Sequence, residues 1–301
     1  MTDKTDRKNS PYLLLVVGIL AVSTAAILIK LTLPFASPLA IAFYRLLFSA
    51  IIAVLILLVS KRGQGQKIER EWIGLLLLSG LLLAAHFALW TWSLDLVSVN
   101  SSVIFTTTSP LWVGLLSPLI LKEKVPKRFF TGVLFALVGG ILIAVLGNSH
   151  SEKSTLPGLL TALLSAWMVA GYLLVGRKLA EKMATELYVS IVYSVAAVVL
   201  GALPLLIEKG FQTYQPAVYV YFILMALVPQ TLGHTSFNKA LKLLPARTVS
   251  LALLFEPVGS SILVMLLLKE LPTAVEIAGG ILILIGLFIA LSAGAAEVNE
   301  A

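Results

Sequence analysis

"SPLWVGLLSPLILKEK", residues 109–124, returns 147 residues later in the chain as "EPVGSSILVMLLLKEL", residues 256–271. Pro110 aligns with Pro257, and the triplet "LKE" closes both copies. Self-similarity over this length indicates two halves built on one plan. Further aligned pairs are Lys30 with Arg177, Leu94 with Leu241, Gly132 with Gly279, and Gly139 with Gly286.

Both halves are made of long apolar segments. The chain of 301 residues is 59% hydrophobic and 12% charged, whereas soluble domains carry about 25% charged residues. An apolar run of about 20 residues is long enough for a helix to cross a bilayer, and backbone in lipid must satisfy its own hydrogen bonds. The short alternating segments of a membrane barrel are absent. We expect ten helical spans at 12–29, 38–59, 72–94, 99–121, 129–147, 157–176, 187–207, 216–238, 246–268 and 275–293.

The basic residues predict the orientation of these spans. Seventeen lysines and arginines fall in one set of alternate polar segments and four in the other, which places both termini in the cytoplasm. A repeat unit of five helices is odd, so the second copy enters the membrane from the opposite face. This is the inverted repeat typical of transporters. The expected units are a cytoplasmic tail 1–11, a first five-helix repeat 12–148, an extracytoplasmic linker 149–155, a second five-helix repeat 156–293 and a cytoplasmic tail 294–301.

The repeat also carries a family resemblance. The stretches "GHTSFNKALKLLPARTVSLALLFEPVGSSILVMLLLKE" (233–270) and "SVNSSVIFTTTSPLWVGLLSPLILKEK" (98–124) resemble the drug/metabolite transporter superfamily, EamA type. The resemblance implies a ten-helix transporter that exports amino acids, related metabolites or amphipathic drugs. The small four-span branch of that superfamily depends on an acid in its first helix. The first span here has none, so that mechanism is not implied.

Two charged residues, Arg45 and Glu256, lie in the middle of predicted spans, at a cost of at least about 2.5 kcal/mol each. Glu256 aligns with Ser109 and Arg45 with Val192, so neither has a charged counterpart in the repeat. Glu256 is either a structural carboxyl group beside the Pro257 bend or a cavity-facing group that binds protons or a cation. Arg45 is either a snorkelling or packing arginine or a fixed cation that holds a substrate carboxylate by two parallel hydrogen bonds.

Polar and aromatic side chains accompany these charges. His86 and Trp90 share a helix face, as do His234 and Asn238, and histidine can relay protons near neutral pH. The alternative for each histidine is a packing role. Trp112 shares a face with Ser109, and such aromatic surface suits an amphipathic solute or an amine, unless these rings merely pack.

Several functions are excluded or disfavoured. The chain has no cysteine, no phosphate-binding loop and no catalytic constellation, so we expect no enzyme and no cofactor. No cluster has metal-ligand spacing. The net charge of +7 resides in short loops and does not indicate nucleic-acid binding. The glycines spaced seven residues apart in spans 5 and 10 predict close helix packing.

The sequence thus predicts an all-α, multi-pass exporter of small organic metabolites in the cell inner membrane, working by alternating access. Its partners are a small-molecule substrate, the lipid bilayer and, as a candidate coupling ion, the proton; a monomer and a homodimer both stay open. The alternative is a non-transporting scaffold, sensor or lipid-handling protein with a dry, apolar centre. The expected site residues are Arg45, His86, Trp90, Ser109, Trp112, His234, Asn238 and Glu256 for substrate, Glu256, His86 and His234 for proton coupling, and Pro110 and Pro257 for helix bends.

Overall fold

The computed structural model describes residues 11–97, 99–123, 125–146, 155–208, 212–268 and 274–298. The predicted N-terminal tail, most of the linker 149–155, and the pair Lys269 and Glu270 lie outside the described residues. The first half contains α1 (Pro11–Val22), α2 (Ala25–Thr32), α3 (Pro38–Ser60), α4 (Arg70–Leu96), α5 (Val99–Thr106), α6 (Ser109–Ile120) and α7 (Lys127–Leu146).

The second half is equally helical. It contains α8 (Leu156–Ala180), α9 (Thr185–Ile207), α10 (Pro216–Met225), a π-helical segment (Ala226–His234), α11 (Thr235–Ala240), α12 (Ala246–Ala252), a 3-10 turn (Leu253–Phe255), α13 (Glu256–Leu268) and α14 (Ala274–Val298).

These helices confirm an all-α membrane architecture. Among the described residues, seven helical regions are long and apolar enough to cross a bilayer: Pro11–Thr32, Pro38–Ser60, Arg70–Leu96, Ser101–Ile120, Leu156–Ala180, Thr185–Ile207 and Pro216–Ala240. The remaining predicted spans, the fifth, ninth and tenth, coincide with α7, with α12 to α13, and with α14. Helix α14 continues to Val298, beyond the predicted end of the tenth span.

The first span is broken between α1 and α2, and two further spans, the fourth and the ninth, are interrupted at equivalent positions of the repeat. The fourth breaks at the turn between α5 and α6, just before Ser109 and Pro110. The ninth tightens into the 3-10 turn just before Glu256 and Pro257. Proline lacks an N–H group and its ring clashes with the preceding turn, so it favours a kink or break in a helix at that point. Each interruption places the first residue of a half-helix, Ser109 or Glu256, in the interior of the protein.

Glycines join the last helices of the two halves. A Cβ atom added to Gly132 would overlap the carbonyl oxygen of Gly286, and one added to Gly139 would overlap that of Gly279. This crossed pairing means that α7 and α14 run antiparallel. It also confirms the close packing predicted from the glycine spacing, because only glycine lets the two backbones approach so closely.

Other helix contacts follow the repeat. Helix α3 packs on α9, its counterpart in the second half. Helix α4 packs on α8, and α1 makes the equivalent contact with the π-helical segment and α11. The contacts between the halves are therefore related by an approximate twofold, and the interrupted spans meet near its centre.

Candidate functional site

A small cavity lies where the interrupted spans meet. The space open to the centre of a water molecule is about 20 Å³, enough for roughly one water molecule. Its walls come from both halves. The lining residues are Val22, Ala25, Arg45, His86, Trp90, Thr106, Thr107, Ser109, Val169, His234, Leu253 and Glu256. Six residues expected from sequence are among them: Arg45, His86, Trp90, Ser109, His234 and Glu256.

Arg45 is the charged centre of one wall. Helix α3 holds it at 1% exposure, so it does not extend to the membrane surface. Its Nε donates a hydrogen bond of 3.0 Å to Oε1 of Gln230, and its guanidinium carbon lies 4.0 Å from the centroid of the Phe87 ring. Within the described residues, Nη1 and Nη2 have no hydrogen-bond partner. The side chain is thus held from one side while its terminal nitrogens stay available.

Trp90 and Ser109 add two further donors. The indole of Trp90 stacks on His86, with ring centroids 6.0 Å apart and planes inclined by 12°. The Nε1 atom of Trp90 and the Oγ atom of Ser109 are buried and have no hydrogen-bond partner in the part of the chain that the structure describes. The cavity walls therefore carry buried donors whose bonding capacity the protein does not use.

Glu256 supplies the acidic group. It is the first residue of α13 and is 7% exposed. Its backbone N–H donates to the carbonyl oxygen of Leu253, so the chain stays helical through the tightened turn. Arg45 bonds to Gln230 rather than to Glu256, and no ion pair joins the two charges in the described structure. Arginine and glutamate therefore face one cavity without neutralising each other directly.

The two membrane histidines lie side by side. Nδ1 of His86 lies 3.1 Å from the carbonyl oxygen of Ser165 and 2.9 Å from its hydroxyl. Because a carbonyl only accepts, Nδ1 carries the proton in the first of these bonds. The His234 ring centroid is 6.3 Å from that of His86 and 5.2 Å from that of Phe87. The rings are adjacent without a direct hydrogen bond between them.

Two of the expected residues lie away from this lining. Trp112 packs against Trp167, with ring centroids 4.6 Å apart, and its Nε1 donates to Oγ1 of Thr108 over 3.4 Å. Asn238 uses its Nδ2 to donate to the Tyr172 hydroxyl at 2.5 Å and to the His234 carbonyl at 2.8 Å. Both side chains support neighbouring helices in this conformation.

The supports of Arg45 were not predicted from sequence. Phe87 aligns with His234 in the repeat, and Gln230 shares a helix face with His234 and Asn238. Those signals place both residues near the centre but do not show that they hold Arg45. Among the described residues, no group of three or more histidine, aspartate or glutamate side chains is arranged to hold a metal ion.

Each of the two structural halves matches the same family of proteins. The EamA-like transporter family matches residues 9–145 and again residues 156–292. The chain belongs to the EamA-like transporter family. This confirms the resemblance drawn from the repeat motifs and makes the chain a multi-pass transporter of the cell membrane, not an enzyme.

Named transporters are among the relatives of this chain, and a solved structure shares its fold. The pseudopaline exporter CntI of Pseudomonas aeruginosa is 29% identical over 284 residues, which cover 93% of this EamA-like transporter and 95% of that protein. A riboflavin transporter of Brucella anthropi is 35% identical over 133 residues, covering 43% of this chain and 45% of the relative. One crystal structure shares the fold with a TM-score of 0.77 at 17% identity, over 95% of this chain and 98% of the other.

Proposed function

We propose that this EamA-like transporter exports small organic metabolites, such as amino acids and related or amphipathic compounds, by alternating access. The two halves, 12–148 and 156–293, are inverted relative to each other, and both termini lie in the cytoplasm. The observation that carries the proposal is the central cavity, which is lined by charged and titratable side chains from both halves. The antiparallel pair α7 and α14 supports inversion, because spans 5 and 10 run in opposite directions only in that arrangement.

Export is the direction supported by a relative. The pseudopaline exporter matches over nearly the whole of both chains. Only the direction of transport by that relative, and not its substrate, supports the present proposal. The non-transporting alternative requires a dry, apolar centre, and the polar lining of the cavity argues against it.

The proposed binding residues are those on the cavity wall: Arg45, His86, Trp90, Ser109, His234 and Glu256. Glu256 is the one acid among the lining residues, so it is the group proposed to bind a proton and a cationic part of the substrate in turn. His86 and His234 line the same cavity as Glu256 and are proposed to relay protons to it, since histidine can exchange protons near neutral pH. Trp112 and Asn238 contact substrate only in a conformation that opens beyond the present cavity.

Metabolite profiling of the medium around expressing cells tests export. Cells would carry the wild-type chain, an empty vector, Glu256→Gln or Glu69→Gln, at matched amounts of membrane-inserted protein. Glu69 is exposed and serves as the matched acid. We expect a solute enriched by the wild-type chain and by Glu69→Gln but not by Glu256→Gln.

Two results would contradict the proposal. If folded wild-type protein and empty vector give the same medium, constitutive export is wrong. If Glu256→Gln exports with the pH profile of the wild type, the proton role of Glu256 is wrong while export stands.

A further inference from the structure

The donors on the cavity wall point to the chemistry of the substrate. We infer that Arg45, Trp90 and Ser109 form a subsite for a single carboxylate group of the transported molecule. This inference rests on the proposed function and deepens it. Arg45 contributes Nη1 and Nη2, Trp90 its Nε1 and Ser109 its Oγ, all buried and without a partner among the described residues.

A carboxylate matches this set of donors. It is planar and accepts two parallel hydrogen bonds from a guanidinium, which a lysine ammonium does not reproduce. Its remaining lone pairs can accept from the indole N–H and the serine hydroxyl. The Arg45 fork is already fixed by Gln230 and by the Phe87 ring, so little ordering is needed when the ligand binds.

Glu256 restricts the substrate further. Its carboxyl group lines the same cavity, so a second anionic group on the ligand would meet a like charge. A protonated amine would instead meet an opposite charge. Specificity of this kind combines attraction at one end with repulsion at the other. The subsite therefore selects a zwitterion with one carboxylate and one amine over a dicarboxylate or a phosphate.

The remaining lining residues indicate the character of the substrate between its two charged groups. Val22, Ala25, Val169 and Leu253 contribute apolar surface between the polar groups. When the cavity opens beyond its present volume, a short aliphatic chain suits such a surface. L-Leucine and its analogues are therefore suitable probes, because each analogue lacks one charged group at nearly constant shape.

Binding to purified protein tests the subsite without any transport. The probes are L-leucine, L-leucinamide, 4-methylpentanoate and glutarate, measured by isothermal calorimetry. We expect L-leucine to bind most tightly, 4-methylpentanoate more weakly, and L-leucinamide and glutarate not detectably. Arg45→Lys should weaken L-leucine binding about tenfold or more, and Trp90→Phe by a smaller factor.

Loss of a buried arginine can prevent folding, so Trp90→Phe provides a second test of the subsite. This variant keeps an aromatic ring but removes the indole N–H. The subsite is overturned if L-leucinamide binds as tightly as L-leucine, if no carboxylate probe binds the wild type, or if folded Arg45→Lys and Trp90→Phe both bind normally. If the subsite is overturned but export is still observed, the proposed function stands. If the carboxylate probes bind as expected but no export is observed, the proposed function is contradicted and the subsite stands.

A second observation, independent of the cavity, concerns two contacts related by the repeat. Nζ of Lys30 donates to the carbonyl oxygen of Leu94 over 3.2 Å. Nη1 of Arg177 donates to the carbonyl oxygen of Leu241 over 2.7 Å. Lys30 aligns with Arg177 and Leu94 with Leu241, so one contact is formed twice. We call these contacts the Lys30 clasp and the Arg177 clasp.

Both clasps have the same physical basis. The last carbonyls of a helix have no partner within it, and a cation there also meets the negative end of the helix dipole. Leu94 lies in the last turn of α4, and Leu241 directly follows α11. In each case the first span of one half closes on the third span of the same half.

The two clasps lie at opposite faces of the membrane in the predicted orientation. The Lys30 clasp is extracytoplasmic and the Arg177 clasp is cytoplasmic. Arg177 also pairs with Glu123, the acid that follows α6, with 3.2 Å between Nε and Oε1. That ion pair ties the first half to the second. Both clasps are closed in this structure, in agreement with a cavity that has room for roughly one water molecule.

We propose that the two clasps are the gates of this transporter and open in alternation. The absence of cysteine from the chain permits a direct test by thiol labelling. Val169→Cys places one thiol on the cavity wall, to be labelled with a membrane-impermeant reagent in whole cells and in inside-out vesicles. Lys30→Met should raise labelling several-fold in whole cells only, and Arg177→Met in inside-out vesicles only.

Two further variants complete the test. Lys178→Met changes the exposed neighbour of Arg177 and should leave labelling unchanged on both sides. Glu123→Gln weakens the Arg177 clasp without removing its arginine and should act in the same direction as Arg177→Met. The gate proposal is overturned if folded Lys30→Met and folded Arg177→Met raise labelling from the same side, or if both leave labelling unchanged. Glu123→Gln takes the place of Arg177→Met in this comparison if the latter does not fold. The test needs no substrate, so its outcome does not depend on the exported compound.

Discussion

The guanidinium of Arg45 lies over the ring of Phe87, with 4.0 Å between its central carbon and the ring centroid. Phe87 occupies the position that His234 holds in the second half, and the two rings touch edge to face. A buried cation is therefore carried by an aromatic face and by the amide of Gln230, not by the nearby acid. This arrangement keeps both charges of the cavity available for a ligand.

Replacing Phe87 tests the aromatic support. A cation over a ring gains about 1–2 kcal/mol when water is excluded, so Phe87→Leu should raise the KM for the exported substrate about 5- to 30-fold. Phe129→Leu is the matched control, because Phe129 is equally buried in α7 but lies in a separate apolar cluster. Transport kinetics in inside-out vesicles would measure both. A wild-type KM for Phe87→Leu would show that the ring does not position Arg45.

The amide of Gln230 gives a second prediction. Gln230→Leu leaves the buried Nε–H of Arg45 without its acceptor, which costs about 1–3 kcal/mol. The midpoint of thermal unfolding in detergent should fall. Gln215→Leu, at an exposed position before α10, should leave the midpoint unchanged. An unchanged midpoint for Gln230→Leu would mean that water or another group replaces the amide without loss.

Gln230→Glu separates stability from transport. The new carboxylate would pair with Arg45 and occupy it, so the protein should stay folded while transport of a carboxylate substrate falls about tenfold or more. Comparison of the unfolding midpoint with the transport rate measures this. Transport at the wild-type rate would argue against a ligand role for Arg45.

Much of this fold could be predicted from the sequence, because charge-free runs, loop charges and a gap-free repeat are one-dimensional signals. The bounds of the spans, the two interruptions at proline and the glycine contacts follow from such signals. The face that each helix turns toward the interior cannot be predicted from such signals. Helices such as α4 and α8 are apolar almost all round, so no stripe marks the inner face. Trp112 and Asn238 were therefore expected at the cavity and pack elsewhere, while Phe87 and Gln230 hold Arg45.

The π-helical segment was also not predicted, although Pro229 lies within it. Pro229→Ala removes a ring that disfavours regular helical hydrogen bonding at this point of the segment. Regular helix through this segment would rotate Gln230 and His234 relative to the cavity, since π-turns contain an extra residue. We expect a stable protein with transport reduced at least tenfold. Pro204→Ala, inside the regular helix α9, is the control, and normal transport by Pro229→Ala would show that the π geometry is dispensable.

The crossed glycines provide a stability test with a control in the same helix. A methyl group on Gly286 would overlap the Gly132 carbonyl and the Ala136 backbone, whereas one on Gly280 meets no atom within 4 Å. Gly286→Ala should destabilise the protein by about 1–3 kcal/mol, as overpacking does. Gly280→Ala should be neutral or slightly stabilising. Thermal unfolding in detergent measures both, and equal midpoints would mean that α7 and α14 separate at little cost.

The same crossed pairing bears on how such a chain can arise. Gly132 touches the counterpart of Gly139, and Gly139 touches the counterpart of Gly132. Two separate copies of one five-helix polypeptide, inserted in opposite directions, would form this contact with a single pair of glycines used twice. Joining the copies by gene fusion would require no new interface. Once the copies are joined, unshared residues such as Arg45 and Glu256 can appear in one half alone, which turns a symmetric dimer into a molecule with a polar, asymmetric centre.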